Sequence, residues 1–580
     1  PLLDTNARAP GLEAQGPAVS GIASSSAVWD GSNRWYNVSD EAGMAWAADS
    51  GLTWDEKYSL WVDAMEPVVG DDGVTTVEIL TPDGRHVPSP RLECAEMAMF
   101  LRVIFAQWYD LPFFMTAHHP TYGALHFGHF GVLRDNGQRA PGFPSYAERY
   151  PDFSDDGSIG SDPSLASRKL TQLEDDYNVF LGEDAYAGAY FDHLLANKRV
   201  GHFLHVLLTS FGSMHLAYSQ NTFDLAPGAI REGDLLVHRW QQQGIGHVMV
   251  LKEVDTTASG TSAEIMFGSM PRIQPAWYDD GMSRGYLLGE HGGSKKLTDD
   301  GKSYAELGGG LKRWRTPVVK GGRWLNIIPV RDREVAVDGN DFDALGDRVD
   351  TLAELLGGLT PEEQVENALG RIEVARDNLR RRPASCANRT RREEAFEELY
   401  TLLGDQQGLS RAQIDATYRV LDDYVLAELD YEDSKTCCWN STTPDMYAIV
   451  MEVAQAEVDA DDTCIDPTVF KAIDGGYDLW ADHAAATGRA DLWVDWSEDE
   501  TCPQRSVEDD AIAPMTHTAY CDIAANLPGA VDTTDACQGV TYEGECNGTE
   551  LRYCDNGTLH EVQCNATCGY DSANSYYNCL

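Results

Sequence analysis

The chain has 580 residues, 43% of them apolar and 10% aromatic, which is enough for large packed cores and excludes wholesale disorder. At roughly 150 residues per domain the length points to three or four domains. Lys and Arg number 44 against 93 Asp and Glu, a net charge of −49 that repels phosphate backbones and anionic lipid surfaces and excludes nucleic acid as a partner.

In chain order, residues 1–25 are rich in Gly, Ala, Ser and Pro and predict a flexible or extended arm. From about Asp40 to Val69 the pattern is helical, with Trp46, Trp54, Leu60 and Trp61 forming an apolar stripe. Thr75 to Leu80 and the following Pro82-Asp-Gly turn predict a short hairpin. Arg91 to Trp108 is apolar nearly all round and predicts a buried helix. The apolar run from Met97 to Met115 is broken by Arg102, Gln107, Asp110 and Pro112, so no membrane span is expected.

Residues 110–165 read as loop, and a second helical zone runs from about Tyr186 to Leu216. A turn in Leu225-Ala-Pro-Gly-Ala-Ile-Arg-Glu-Gly-Asp launches a strand, followed by strands Gly246 to Val254 and Ala263 to Met270. Residues 290–322, rich in Gly and Lys, predict a mobile excursion before a strand at Arg323 to Pro329. Asp341 to Glu432 carries the apolar spacing of three or four helices. Residues 431–580 hold 29 acidic and 5 basic side chains, about half of the net charge. Their end repeats Asn-Gly, the preferred centre of a type I′ turn, at Asn547-Gly548 and Asn556-Gly557. Residues 536–580 therefore predict a small β module, which resembles the short Cys-rich tails of secreted bacterial proteins.

The 13 cysteines divide the chain. Cys94 stands alone in the first 385 residues, and the other twelve can close six disulfides, which implies an oxidising compartment. Zinc is the rival for the cluster, but Cys437-Cys438 and Cys564-x3-Cys568 lack paired knuckles and ligand histidines. The acidic surface and the start at Pro1, without a signal-like segment, suit a processed extracellular or cell-surface protein.

Cys94 falls in the first turn of the buried helix, where unsatisfied N–H groups favour a thiolate and can donate to an oxyanion. His247, in Gly244-Ile-Gly-His-Val-Met-Val-Leu, opens a strand and can serve as its general base. A Cys opening a buried helix, a Gly-Asp-Leu strand at Gly233 and a Gly-His-Val strand at Gly246 resemble the papain-like fold of the NlpC/P60 and CHAP amidase superfamily over residues 85–275. The resemblance implies a Cys94 nucleophile, a His247 base and a polar third group on the next strand. Antiparallel pairing sets His247 opposite about Ser269, in a place where the family ordinarily has His, Asn, Asp or Glu.

The fold class expected is thus α+β. It comprises an arm (1–25), a papain-like cysteine hydrolase domain with insertions (26–335), a helical domain (336–432), an acidic disulfide-containing helical region (433–535) and the Cys-rich β module (536–580). The activity expected is amide cleavage in peptidoglycan-type peptides or proteins, with acyl transfer to an amine as a variant and no cofactor. A cell-surface or protein partner is expected of the C-terminal module.

Two other readings compete. One is a non-catalytic surface or assembly protein that keeps the fold. The other is a metal hydrolase built on His118, His119, His126 and His129, whose imidazoles suit Zn²⁺. His202, His205 and His215 read as structural. The acidic string Asp459 to Asp466 lacks the Gly and terminal Glu of an EF-hand loop and reads as a solvated face. Six Asn-x-Ser/Thr sequons begin at Asn37, Asn388, Asn440, Asn547, Asn556 and Asn565.

Overall fold

A computed structural model of the chain describes residues 10–32, 52–69, 75–81, 86–149, 198–242, 246–257, 260–269, 272–289, 292–298, 301–381, 383, 386–425, 444–460, 478–493, 540–541, 544–555, 558–564, 566–571 and 576–579. The architecture is mixed α+β, and two compact units divide it, Pro1–Gly370 and Arg371–Leu580. Among the described residues no helix is long and apolar enough to cross a membrane.

The first unit opens with strand β1 (Glu13–Ala18), in chain that the composition assigned to the arm. Its backbone is held by antiparallel pairing with residues 323–327. Helix α1 (Trp54–Asp63) starts on a capping box: Thr53 Oγ1 accepts from the Glu56 N–H, and the Glu56 carboxylate accepts from the Thr53 N–H at 2.7 Å. Strands β2 (Glu66–Val69), β3 (Thr75–Leu80) and β4 (His86–Pro88) form a three-stranded sheet, with the expected Pro82-Asp-Gly turn outside the described residues. Helix α2 (Cys94–Trp108) follows, and every residue from Cys94 to Ala106 is buried.

The zone expected as loop instead contains a meander, β5 (Phe114–His119), β6 (Gly123–Gly128) and β7 (Gly131–Arg134). Its strands are short, glycine-punctuated and rich in His and aromatics, so the alternation that marks a longer strand is too brief to register. The short helix α3 (Tyr146–Arg149) ends this segment. Helices α4 (Lys198–Leu208) and α5 (Ser213–Leu216) occupy the second helical zone, of which residues 186–197 lie outside the described residues.

The organising element is a six-stranded antiparallel sheet. Its strands are β8 (Thr222–Asp224), β9 (Leu235–His238), β10 (His247–Thr257), β11 (Gly260–Phe267), β12 (Ala276–Tyr278) and β13 (Gly310–Trp314), in the order β12-β11-β10-β9-β13-β8. The excursion expected at 290–322 therefore supplies an interior strand between β9 and β8, and β14 (Thr316–Lys320) and β15 (Arg323–Ile327) follow it as a hairpin whose second strand pairs with β1.

Alternation along the strands gives the sheet two faces. Leu235, Val237, Val248, Val250 and Met266 pack with α2 and α4 in one core. Leu236, Met249, Leu251, Ile265, Phe267 and Leu311 pack in another with Leu287 of α6 (Asp280–Leu288) and with Leu352 and Leu356 of α8 (Arg348–Leu356). Helix α8 follows the short α7 (Phe342–Gly346) and belongs to this unit, so the expected boundary at residue 336 cuts through the layer that covers the sheet. Arg348 fixes it there, donating to the carbonyls of Gly309 at 2.8 Å and Leu311 at 2.9 Å. Gly310 has φ +104°, and a Cβ on it would lie 2.2 Å from Arg348 Nη2, so no larger residue fits.

One long-range contact ties α2 to the sheet. Arg272, beyond the end of β11, donates from Nε and Nη2 to both oxygens of Glu96 at 2.8 and 2.7 Å, and both side chains are buried. Glu96 also accepts from the Glu93 N–H at 2.9 Å, capping the helix. Alongside, Leu92 bridges to Ile273 and the Ser269 N–H donates to Leu92 O.

In the second unit, α9 (Pro361–Arg381) enters from the first, followed by α10 (Cys386–Gln407), α11 (Arg411–Tyr418), α12 (Leu421–Val425), α13 (Pro444–Ala460) and α14 (Asp478–Ala486). Buried charges hold it: Asp423 takes Arg376 at 3.0 Å and Arg392 at 3.2 Å. Asn388 is 1% exposed, which removes its sequon as an acceptor.

The chain ends in a small disulfide-bonded β module. It contains a sheet of β16 (Glu545–Asn547), β17 (Glu550–Asp555) and β18 (Thr558–Gln563), and a hairpin of β19 (Cys568–Asp571) and β20 (Tyr576–Cys579). Cys546–Cys568 and Cys564–Cys579 staple sheet to hairpin, and Cys554 is also disulfide-bonded. The first turn is centred on Gly548-Thr549, one residue later than expected, because Asn547 pairs with Glu550.

Removing Arg272 leaves the Glu96 carboxylate buried without its counter-charge. Arg272→Met is expected to cost about 3–5 kcal/mol in urea unfolding followed by tryptophan fluorescence. The double variant Glu96→Met/Arg272→Met is expected to cost less than the single one. A double variant at least as unstable would show that the two charges do not depend on each other.

Candidate functional site

Cys94 is the first residue of α2, and its N–H therefore has no intrahelical acceptor. The side chain is 9% exposed, and Cys94 is the free cysteine among the described residues. The thiol donates to Gly246 O at 3.8 Å. Burial, reinforced by the Glu93 carboxylate, pushes the thiol up to about 12, while the N–H groups of Val248 and Ala95 facing the sulfur favour its charged form. At neutral pH the group is a protonated thiol in a pocket that already contains two donors for an anionic sulfur.

The thiol thus sits against the backbone on both sides of His247. Gly246 is held in place by Ser213, whose hydroxyl accepts the Gly246 N–H at 2.7 Å. Gly268 allows the end of β11 to close on the start of α2, since a Cβ there would meet Leu92 O at 2.2 Å. The backbone groups around Cys94 therefore come from α2, from the start of β10 and from the end of β11.

The His247 side chain has the parity of Met249 and Leu251, and its half-buried ring meets the edge of Phe267 at 5.1 Å. That parity sets the imidazole with the core of Met249, Leu251 and Phe267, whereas Cys94 packs in the core of Val248 and α2, and the thiol's hydrogen bond goes to Gly246 O rather than to the ring. Directly across the ladder from His247 stands His238.

The expected register, which if continued would set Ser269 opposite His247, is present at Val250–Met266. The ladder ends there, however, and the following residues turn toward α2. The backbone N–H of Ser269 joins Leu92 O at 3.2 Å, and no hydrogen bond links its hydroxyl to His247. A bulge at Lys252 shifts the outer half of the hairpin so that Glu264 faces Glu253. Lys252 turns inward to donate to Asp63 O at 2.7 Å and lies over the Trp277 ring at 4.2 Å.

The other histidines have separate tasks. His119 Nδ1 accepts from the N–H groups of Thr121 and Tyr122 at 3.1 and 3.3 Å, capping the β5–β6 turn, while His118 on β5 is half-buried. His126 bridges Thr116 Oγ1 and Asp135, each at 2.9 Å. His129 Nδ1 meets Phe113 O at 2.9 Å, and its ring packs against Trp324. Among the described residues no group of three or more His, Cys, Asp or Glu side chains is arranged to hold a metal ion. His215 Nδ1 accepts from Gly212 N–H at 3.0 Å, and His202 is buried in α4, in keeping with structural roles. Asp459 closes α13, and the rest of the acidic string lies outside the described residues.

Compared with protein-family models, with curated proteins and with solved structures, the chain matches none.

Sequence reasoning missed three contributors to this region. Glu96 was legible, since Glu93-x-x-Glu96 before an apolar run has the spacing of a helix start. His238 was accessible by extending the Gly-Asp-Leu strand and pairing it with the next. Ser213 carries no local signal, because its bond to Gly246 depends on a fold over 33 residues.

Burial also makes these histidines acid-sensitive. Desolvation pushes His129 from 6.5 down to about 4, opposed by its bond to Phe113. The unfolded chain takes up this proton near 6.5, whereas the folded chain resists it until about 4, so stability is lost as pH falls through that window. The stability lost across that window is about 3 kcal/mol. His129→Asn is expected to be less stable than the parent at pH 7 but to lose less stability between pH 6.5 and 4 in thermal melts. Parallel pH curves would refute this.

Proposed function

We propose that the chain is a secreted cysteine amidase or peptidase with the papain-like arrangement of the NlpC/P60 and CHAP amidases, acting on peptidoglycan-type peptides or proteins. The observation that carries the reading is the contact of the Cys94 thiol with Gly246 O and the Val248 N–H, the residues flanking His247. An antiparallel sheet packed against the thiol-bearing helix and the disulfide-bonded C-terminal module support it further. The disulfides suit an oxidising, extracellular compartment, and the module is the natural candidate for a cell-surface or protein partner.

In this reading His247 takes the Cys94 proton as sulfur attacks the amide carbonyl. The Cys94 N–H donates to the oxyanion, and the imidazolium returns the proton to the departing amine. Water then attacks the thioester, releasing a carboxylic acid and restoring the thiol. A thiol otherwise pushed up to about 12 depends on its base, because spontaneous thiolate is scarce near neutrality.

A second reading, a non-catalytic extracellular surface or assembly protein that retains the fold, is favoured by the same burial and by a thiol hydrogen-bonded to backbone. Iodoacetamide labelling of the native, non-reduced protein across pH 4 to 9, with Cys94 followed by peptide mass spectrometry, separates the two. The enzyme reading expects labelling near pH 7 that His247→Ala slows by about 10-fold or more. A Cys94 that labels only after denaturation would favour the non-catalytic protein.

A further inference from the structure

We propose that His238 is a positioning residue that orients the imidazole of His247. The inference rests on the reading of Cys94 and His247 as thiol and base. The β9–β10 ladder pairs His247 directly with His238, so the two side chains stand on one face of the sheet, with Cβ atoms about 4.5–5.5 Å apart. They occupy the last position of β9 and the first of β10, the sheet end that holds the Cys94 thiol at Gly246 O.

Each ring has its own support. His238 stacks on Tyr304, with centroids 5.2 Å apart and planes at 26°, and Trp240 closes its other side at 5.0 Å. Phe267 meets the His247 ring edge-on at 5.1 Å. Both histidines are half-buried, and both ring nitrogens of His238 are shielded from solvent.

An imidazole base works with one tautomer in one orientation, and the group bonded to its second nitrogen sets both. A neutral His238 can accept the N–H of His247, which turns the remaining lone pair of His247 outward. When His247 takes the thiol proton, that same bond stabilises the imidazolium, and no bond other than the S–H and N–H exchange is made or broken. Ser269 is bound by its backbone to Leu92 O, so the sheet's other side offers His247 no such partner through its hydroxyl.

The neighbouring charges have other partners. Arg239 donates to Gln241 O and Gln242 O, Lys302 to Gln242 Oε1, and on the first turn of α2 Glu96 is held by Arg272, with Glu93 3.6 Å from the same guanidinium. The phenol of Tyr304 belongs to the ring stacked on His238.

The test is the pH profile of Cys94 labelling by iodoacetamide in the full, non-reduced chain, for the parent, His247→Ala, His238→Phe and His238→Gln. Phe keeps the stacking on Tyr304 but cannot hydrogen-bond, whereas Gln keeps a hydrogen-bonding side chain. The expected result is a loss of about 10-fold in rate at pH 6–7 for His238→Phe, with most of the rate restored in His238→Gln. A His238→Phe profile that superimposes on the parent while His247→Ala is slow would overturn the role of His238 and leave the Cys94–His247 pair standing. Equal losses in Phe and Gln would also overturn it, pointing to packing alone. Parent-like labelling in His247→Ala would remove both the pair and the inference.

Discussion

The buried ion pair of Glu96 and Arg272 is the constraint on which the arrangement around Cys94 depends. Two ions taken out of water are tolerated only when their geometry is good and their remaining valences are filled. Here the contact is bidentate, and the spare capacity of Glu96 goes to the Glu93 N–H. The pair brings together chain segments 176 residues apart and holds the exit of β11 against the start of α2. Leu92, Gly268, Ser269 and Ile273 close around the same point. Burial of the thiol, and with it the protonated state at neutral pH, follows from that closure.

Much of the sheet was legible because its signals are local. The apolar run after Cys94 announced α2, and the alternation in residues 246–267 announced β10 and β11 with the correct pairing of Val250 and Met266. What the alternation could not carry is the point where pairing stops. The strand leaves the ladder because Arg272 is drawn to Glu96, a tertiary contact that removes Ser269 from the place across from His247. The bulge at Lys252 has the same character, since its cause is Asp63 and Trp277 on other elements.

Elsewhere, composition misled for a physical reason. Glycines and lysines in residues 290–322 suggested an excursion, yet Gly310 is needed so that an interior strand can pass beneath Arg348. Lys312 is buried on Asp224 at 2.7 Å, so a charge that reads as solvent-facing is an internal tie. The histidines of the β5–β7 meander suggested ligands, but turn capping, a bridge to Asp135 and aromatic packing account for those whose contacts are described. In both cases residue type indicated polarity correctly, and only the fold revealed what that polarity was for.

The strand order has a consequence for how the chain acquires its fold. Strands β8 and β9 are close in sequence, yet β13, which arrives more than 70 residues later, lies between them. Until residue 314 is available, both hold unpaired inner edges lined with apolar side chains, the kind of edge that recruits other chains. Assembly of the sheet is thus gated by a non-local strand, which slows folding by the entropy of closing that loop. During synthesis the first unit would pass through its most aggregation-prone interval while residues 239–309 emerge, and a chain cut short within that interval would have no means of leaving it.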